Sequence, residues 1–138
     1  MWLFSTDGFT SVVAYSPAKD HAKSAHYEIA NKSADPNNWL LVRARIKADL
    51  EQIQQSLGTD LHIRKDAGAD YAYRALVTRD DWKRYLCSEV DSMDYDSHFK
   101  EVVQDRAPEN AQRYNAMMRV WRAMSELQDT PPYGGISS

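Results

Sequence analysis

Residues 39–58 read Trp39-Leu40-Leu41-Val42-Arg43-Ala44-Arg45-Ile46-Lys47-Ala48-Asp49-Leu50-Glu51-Gln52-Ile53-Gln54-Gln55-Ser56-Leu57-Gly58. The first half alternates. Leu40, Val42, Ala44 and Ile46 fall on one side of an extended chain, and Leu41, Arg43 and Arg45 on the other. The period then changes: Ile46, Leu50, Ile53 and Leu57 recur at helical spacing, with Lys47, Asp49, Glu51 and Gln54 between them. Gly58 stands where a left-handed C-cap ends such a helix. A strand running straight into an amphipathic helix is therefore expected over 39–58.

Downstream, Leu61-His62-Ile63-Arg64-Lys65 reads as a short strand and Asp66-Ala67-Gly68-Ala69-Asp70 as a turn. Tyr71 to Thr78 reads as another strand, with Tyr71, Tyr73, Ala75 and Val77 on one face and Ala72, Arg74, Leu76 and Thr78 on the other. Thr78 is placed to cap a helix that carries Asp80 and Asp81 in its first turn and turns Trp82, Tyr85, Leu86 and Val90 inward. Asp91 to Asp96 forms an acidic connector, and a short helix is expected around Phe99, Val102 and Val103. Pro108 opens a last helix whose apolar face is Ala111, Tyr114, Met117, Met118, Trp121, Met124 and Leu127. Upstream, Trp2 to Tyr15 reads as a hairpin turning at Thr6-Asp7-Gly8. Residues 16–38, rich in Ser, Ala, Lys and Asn, read as a polar insert: either a helix within Ala18 to Ala30 or a mobile flap.

The element order predicts an α+β fold. It has an antiparallel sheet of four or five strands with helices on one face, a ferredoxin-like β-α-β-β-α segment and C-terminal helices. The chain has 138 residues, 17 Lys and Arg against 20 Asp and Glu, and a net charge of −3. That size suits one domain, expected over 1–129, followed by a flexible tail over 130–138. The slight acidity argues against a protein that coats DNA wholesale. No apolar run approaches the roughly 18 to 20 residues of a membrane span, and the N-terminus lacks the basic lead of a signal peptide, so a cytoplasmic protein without membrane contact is expected.

Several blocks carry a family resemblance: Met1-Trp2-Leu3-Phe4 with Gly8-Phe9 and Ser11-Val12-Val13, then Leu40-Leu41-Val42-Arg43-Ala44-Arg45, Asp70-Tyr71-Ala72-Tyr73-Arg74, Asp94-Tyr95-Asp96-Ser97-His98-Phe99-Lys100, and Val120-Trp121-Arg122-Ala123-Met124. In this order they resemble a family of small uncharacterised bacterial and phage proteins. The resemblance covers most of the chain outside 16–38 and the tail, and it implies architecture rather than an activity.

Catalytic signatures are missing. There is no Gly-rich phosphate loop, no G-x-S-x-G, no H-E-x-x-H and no C-x-x-C. Cys87 is the only cysteine, which excludes an internal disulfide and a multi-cysteine zinc site, and it reads as a structural thiol. His21 and His26 are five apart, off the spacing that puts two ligands on one helix face, while His62 and His98 are isolated. Asp91, Asp94 and Asp96 lack the glycine and closing Glu of a calcium loop. Neither a metal nor a cofactor is expected, nor an enzyme.

The unusual residues are arginines on strands. Arg43 and Arg45 share one strand face, and Arg74 lies on a second strand near Tyr71 and Tyr73. On an open sheet face they would clamp a phosphate or carboxylate, or hold single-stranded nucleic acid. The plainer reading pairs them with nearby carboxylates on a solvated surface. Strict alternation places Tyr71 and Tyr73 opposite Arg74, in the core. Trp2 and Trp39 each start a strand and are candidates for a partner surface. The expected function is a non-catalytic interaction module. It would bind a protein partner or a second copy of itself, and the phage resemblance adds inhibition of a host defence complex as one form of it. Binding of an anionic ligand or nucleic acid through Arg43, Arg45 and Arg74 is the alternative, and an enzyme with an unrecognised site is the third.

Overall fold

The computed structural model describes residues 1–66, 68–96 and 111–129. Among them, strands β1 (Trp2–Ser5), β2 (Gly8–Ala14), β3 (Trp39–Ala44), β4 (Arg64–Lys65) and β5 (Tyr73–Thr78) form one sheet in the order β1-β2-β3-β5-β4. Every pairing is antiparallel. The helices are α1 (Ala25–Lys32), α2 (Lys47–Leu57), α3 (Arg79–Asp91) and α4 (Ala111–Ser125). The fold is α+β. Its middle runs β3-α2-β4-β5-α3, with β5 lying between the two strands that α2 connects.

The chain divides into two compact units, Met1–Met93 and Asp94–Ser138, so the division falls inside the stretch 1–129 expected to be one domain. In the second unit, α4 buries Met117, while Trp121, Met124 and Leu127 of the expected apolar face are exposed. The helix expected around Phe99, the Pro108 helix start and the tail lie outside the described residues.

The first unit is built on two faces of one sheet. On one face, Val12, Leu40, Val42, Ala44, Ala75 and Val77 pack against Leu50, Ile53 and Leu57 of α2 and Trp82 and Tyr85 of α3. Their alternation along the strands is the period-two pattern of a half-buried sheet. On the opposite face, Leu41 and Leu76 pack with Tyr15 and with Ala30 of α1, and Ile29 and Trp39 flank them. The insert is therefore a helix that covers one end of the face expected to be open. It begins at Ala25 rather than near Ala18, because Ser24 takes the N-cap and its hydroxyl accepts from the Tyr27 N–H at 3.0 Å.

Other boundaries shift for identifiable reasons. Ile46 is the residue before α2 and is exposed, so that helix buries Asp49, Leu50, Ile53 and Leu57 instead. The strand expected from Leu61 shrinks to Arg64–Lys65, because His62 has φ of +50°, outside the extended region. Thr78 caps α3, accepting from the Asp81 N–H at 3.1 Å, but Val90 is exposed on its last turn. Cys87, expected as a packed thiol, is exposed on the same helix.

The hairpin turn uses Thr6 and Asp7, with Ser5 paired to Gly8. Gly8 has φ of +141°, and a Cβ there would collide with the Asp49 carboxylate. Asp49 accepts from the Phe9 N–H at 3.1 Å, and Tyr85 donates to Asp7 Oδ2 at 2.8 Å. These two bonds fasten the hairpin to α2 and α3. Burial chiefly pushes the Tyr85 hydroxyl far above its ordinary 10.0, so it stays a donor.

Candidate site: an arginine row across the sheet

Register brings the sequence-separated arginines together. Ser11 faces Arg43, Arg43 faces Arg74, and Arg74 faces Arg64. Trp2 faces Ser11 at the other end. Directly opposed residues share a sheet face, so Trp2, Ser11, Arg43, Arg74 and Arg64 form one row across all five strands. Neighbouring strands lie about 4.8 Å apart, which sets the spacing of the three guanidinium stems at their roots. The row occupies the face opposite α2 and α3, beside the patch covered by α1.

Like charges directly opposed on a sheet repel, so the compensation available to each arginine matters. Arg64 is met by Asp20 of the insert, Nη2 to Oδ1 at 3.0 Å. Arg43 donates to Ser11 Oγ at 2.7 Å, and its Cζ lies 4.9 Å from the Tyr71 ring centre. Arg74, in the middle, has neither a hydrogen bond nor an ion pair among the described residues. The Nε atoms of Arg43, Arg64 and Arg74 are all buried without a hydrogen-bond partner. The row thus carries three cations and one carboxylate, and that carboxylate sits at one end.

Asp20 is itself heavily engaged. Its Oδ2 accepts from Tyr15 Oη at 2.6 Å and from Ser24 Oγ at 2.8 Å, and its Oδ1 accepts from the His21 N–H at 2.8 Å. Burial works against the charged form, but the bonds from Tyr15, Ser24 and Arg64 outweigh it and hold Asp20 well below its ordinary 3.8. Burial, and then the bond to Asp20, pushes the Tyr15 hydroxyl well above 10.0. Close by, His26 is fully buried and donates from Nε2 to the His62 carbonyl at 2.6 Å. That bond makes Nε2 the protonated nitrogen and leaves Nδ1 buried without a partner. Burial lowers the His26 pKa from 6.5, so the ring is neutral.

On the other side of the row lies an aromatic patch. Phe4 stacks on Phe9 with ring centres 4.5 Å apart, and Trp2 meets Phe9 edge-on at 5.8 Å. Trp2 is 70% exposed. Its backbone is pinned, because Val12 N donates to Met1 O at 2.7 Å and the Met1 ammonium donates to Val12 O at 2.8 Å. Tyr71 closes the patch 6.3 Å from Phe9 and takes a second guanidinium, Arg45, with Cζ 4.5 Å from its ring centre. Arg45 also meets Asp70 at 3.5 Å, an exposed contact of little energetic weight.

Of the residues singled out from sequence, Arg43, Arg45, Arg74, Tyr71 and Trp2 come together on this face. Tyr71 was expected on the opposite face in the core. It lies before the first residue of β5, so strand alternation does not govern it, and it turns to the arginine side. Tyr73 is within β5 and packs against the helix-covered core, with Lys65 over its ring at 5.8 Å. Trp39 flanks the α1 patch, and its indole N–H donates to Ser33 Oγ at 3.0 Å. Both leave the site.

Arg64, Ser11, Phe4, Phe9 and Asp20 are additions. Arg64 and Phe9 already stood in stretches read as strands, and only cross-strand register joins them to the arginines. Among the described residues no group of three or more His, Cys, Asp or Glu is arranged to hold a metal ion, and no helix is long and apolar enough to cross a membrane. No protein-family model, curated protein or solved structure matches the chain.

Proposed function

We propose that the chain is a non-catalytic binding protein whose arginine row receives an anionic group, a phosphate or a carboxylate, on the sheet face away from α2 and α3. The observation that carries this reading is Arg74. It stands directly between Arg43 and Arg64 and lacks any acceptor among the described residues. A guanidinium between two others is stabilised by an anion that bridges them, and the planar fork of Arg suits phosphate and carboxylate oxygens.

The test uses inorganic pyrophosphate, with chloride added to match ionic strength. A ligand that binds only the folded chain raises its unfolding midpoint. Pyrophosphate should raise the midpoint of the native chain and leave that of Arg74→Gln unchanged. An equal rise in both proteins, or none in either, overturns the reading.

A protein partner is the second reading, favoured by one observation: Trp2 is 70% exposed on an edge strand. Exposed tryptophan is a common anchor at protein interfaces. The anion reading ranks first because it accounts for three arginines, whereas the partner reading accounts for one ring.

A further inference from the structure

The arginine row and the aromatic patch lie side by side on one face, and they have different chemical appetites. We infer that the ligand is a single strand of nucleic acid, laid across the sheet with phosphates on Arg43 and Arg74 and bases stacked on Trp2, Phe4 and Phe9. This rests on the anion reading and narrows it.

Two observations support the choice. The cations are repeated, one per strand over β3, β5 and β4, which suits a ligand with repeated charge better than a single phosphate. The aromatic rings come from β1 and β2, next to the row, and the most exposed, Trp2, is itself the row's last member. Ring faces beside a line of cations are the two elements by which proteins hold unpaired strands: cations track the backbone, and any base has a face to stack. In a duplex the bases are stacked on each other, so a ring presented by a sheet finds no free face. That excludes double-stranded nucleic acid from the same contacts. Stacking on ring faces accepts any base, so binding should tolerate any sequence.

The α1 segment shapes the far end. Asp20 already holds Arg64, so the strand leaves the row there rather than running past it, and Arg43 and Arg74 carry the phosphate contacts. The footprint is therefore short, at the small end of the roughly 4 to 16 nucleotides that single binding folds cover.

The experiment is fluorescence anisotropy at low salt with labelled oligodeoxythymidylate and oligouridylate of about 8 nucleotides, in the range of such footprints. Unlabelled duplex and pyrophosphate serve as competitors. Binding of either oligonucleotide is expected, with the logarithm of the affinity falling against the logarithm of salt with a slope near −1.4, two phosphates at about 0.7 each. Arg74→Gln should lower the slope by about 0.7. Trp2→Ala should weaken the oligonucleotide by about 5- to 100-fold, the worth of one stacked base, and leave the pyrophosphate effect on the unfolding midpoint as in the native chain. Trp2 is exposed, so this variant keeps the fold, and circular dichroism checks that. If pyrophosphate binds through Arg74 but neither oligonucleotide binds, or Trp2→Ala binds the oligonucleotide as well as the native chain, the nucleic-acid inference falls and the anion reading stands. If Arg74→Gln responds to pyrophosphate as the native chain does, the anion reading falls with it.

Discussion

The two faces of the sheet solve different problems. On the α2/α3 face, strand residues at every second position are apolar, and the helices return an apolar stripe to meet them. On the other face only one end is closed this way, by α1 over Leu41 and Leu76. Away from that patch the face carries an aromatic row and then a cationic one. The first face is organised chiefly by burial, with Asp49 and Tyr85 adding two hydrogen bonds to the hairpin. The second keeps three guanidiniums within one row, with Arg64 and Arg43 compensated and Arg74 without a hydrogen bond or ion pair among the described residues. The apolar core against α2 and α3 lies on the first face, and the proposed binding site lies on the second.

That contrast is breakable. Leu50→Ala, at a fully buried position of α2, should cost about 3 kcal/mol by leaving a cavity, measured as a shift in the denaturant midpoint. A loss below about 1 kcal/mol would mean that this face is loosely packed. Gly8→Ala should cost about 2 kcal/mol, since the new side chain meets both a positive φ and the Asp49 carboxylate. Asp49 is what makes the position intolerant, so the double variant with Asp49→Ala should recover part of the loss, read in the same assay. Full additivity would place the strain in the backbone alone.

Acid should attack the second face first. His26 has its pKa lowered on folding, so the unfolded chain takes up its proton earlier, and stability falls as the pH drops below 6.5. The groups facing His26 are Arg64, Asp20 and His62. Asp20 is also depressed, so its contribution holds above 3.8 and is lost below that. His26→Gln should remove the upper portion of this decline and keep the lower, with unfolding midpoints compared between pH 7 and pH 3. Tyr15 has the opposite sign: its contribution is complete below 10.0 and is lost at higher pH.

The smallest effect has the most telling sign. Arg74→Met removes the central charge of the row while keeping much of its apolar stem, and should raise stability by a few tenths of a kcal/mol in low salt. A native chain destabilised by that substitution would mean that Arg74 has a structural partner.

Local periodicity made much of this molecule readable. The change from period two to helical spacing between Trp39 and Gly58 marks β3 and α2, and the Thr78 cap marks the junction of β5 and α3. The site was legible only in part. Arg43 and Arg45 could be put on one face by counting along a strand. Their meeting with Arg64 depends on register, which is set by pairing across the sheet and leaves no trace in any one segment. Tyr71 was misplaced because alternation was carried two residues beyond the strand. The insert was hardest, since what orders it is distant: Asp20 reaches Arg64, and His26 reaches the carbonyl of His62. Ser24 before Ala25-His26-Tyr27-Glu28 was the available local signal for where α1 starts.

The left-handed backbone at His62 has one more consequence. It cuts β4 to two residues, so the strand that forms the outer border of the sheet on that side offers only a short template. A long bare border invites another chain to add itself and begin a fibre. Here β4 is too short to be such a border. The proposed binding face is thus flanked on that side by an edge strand of only two residues.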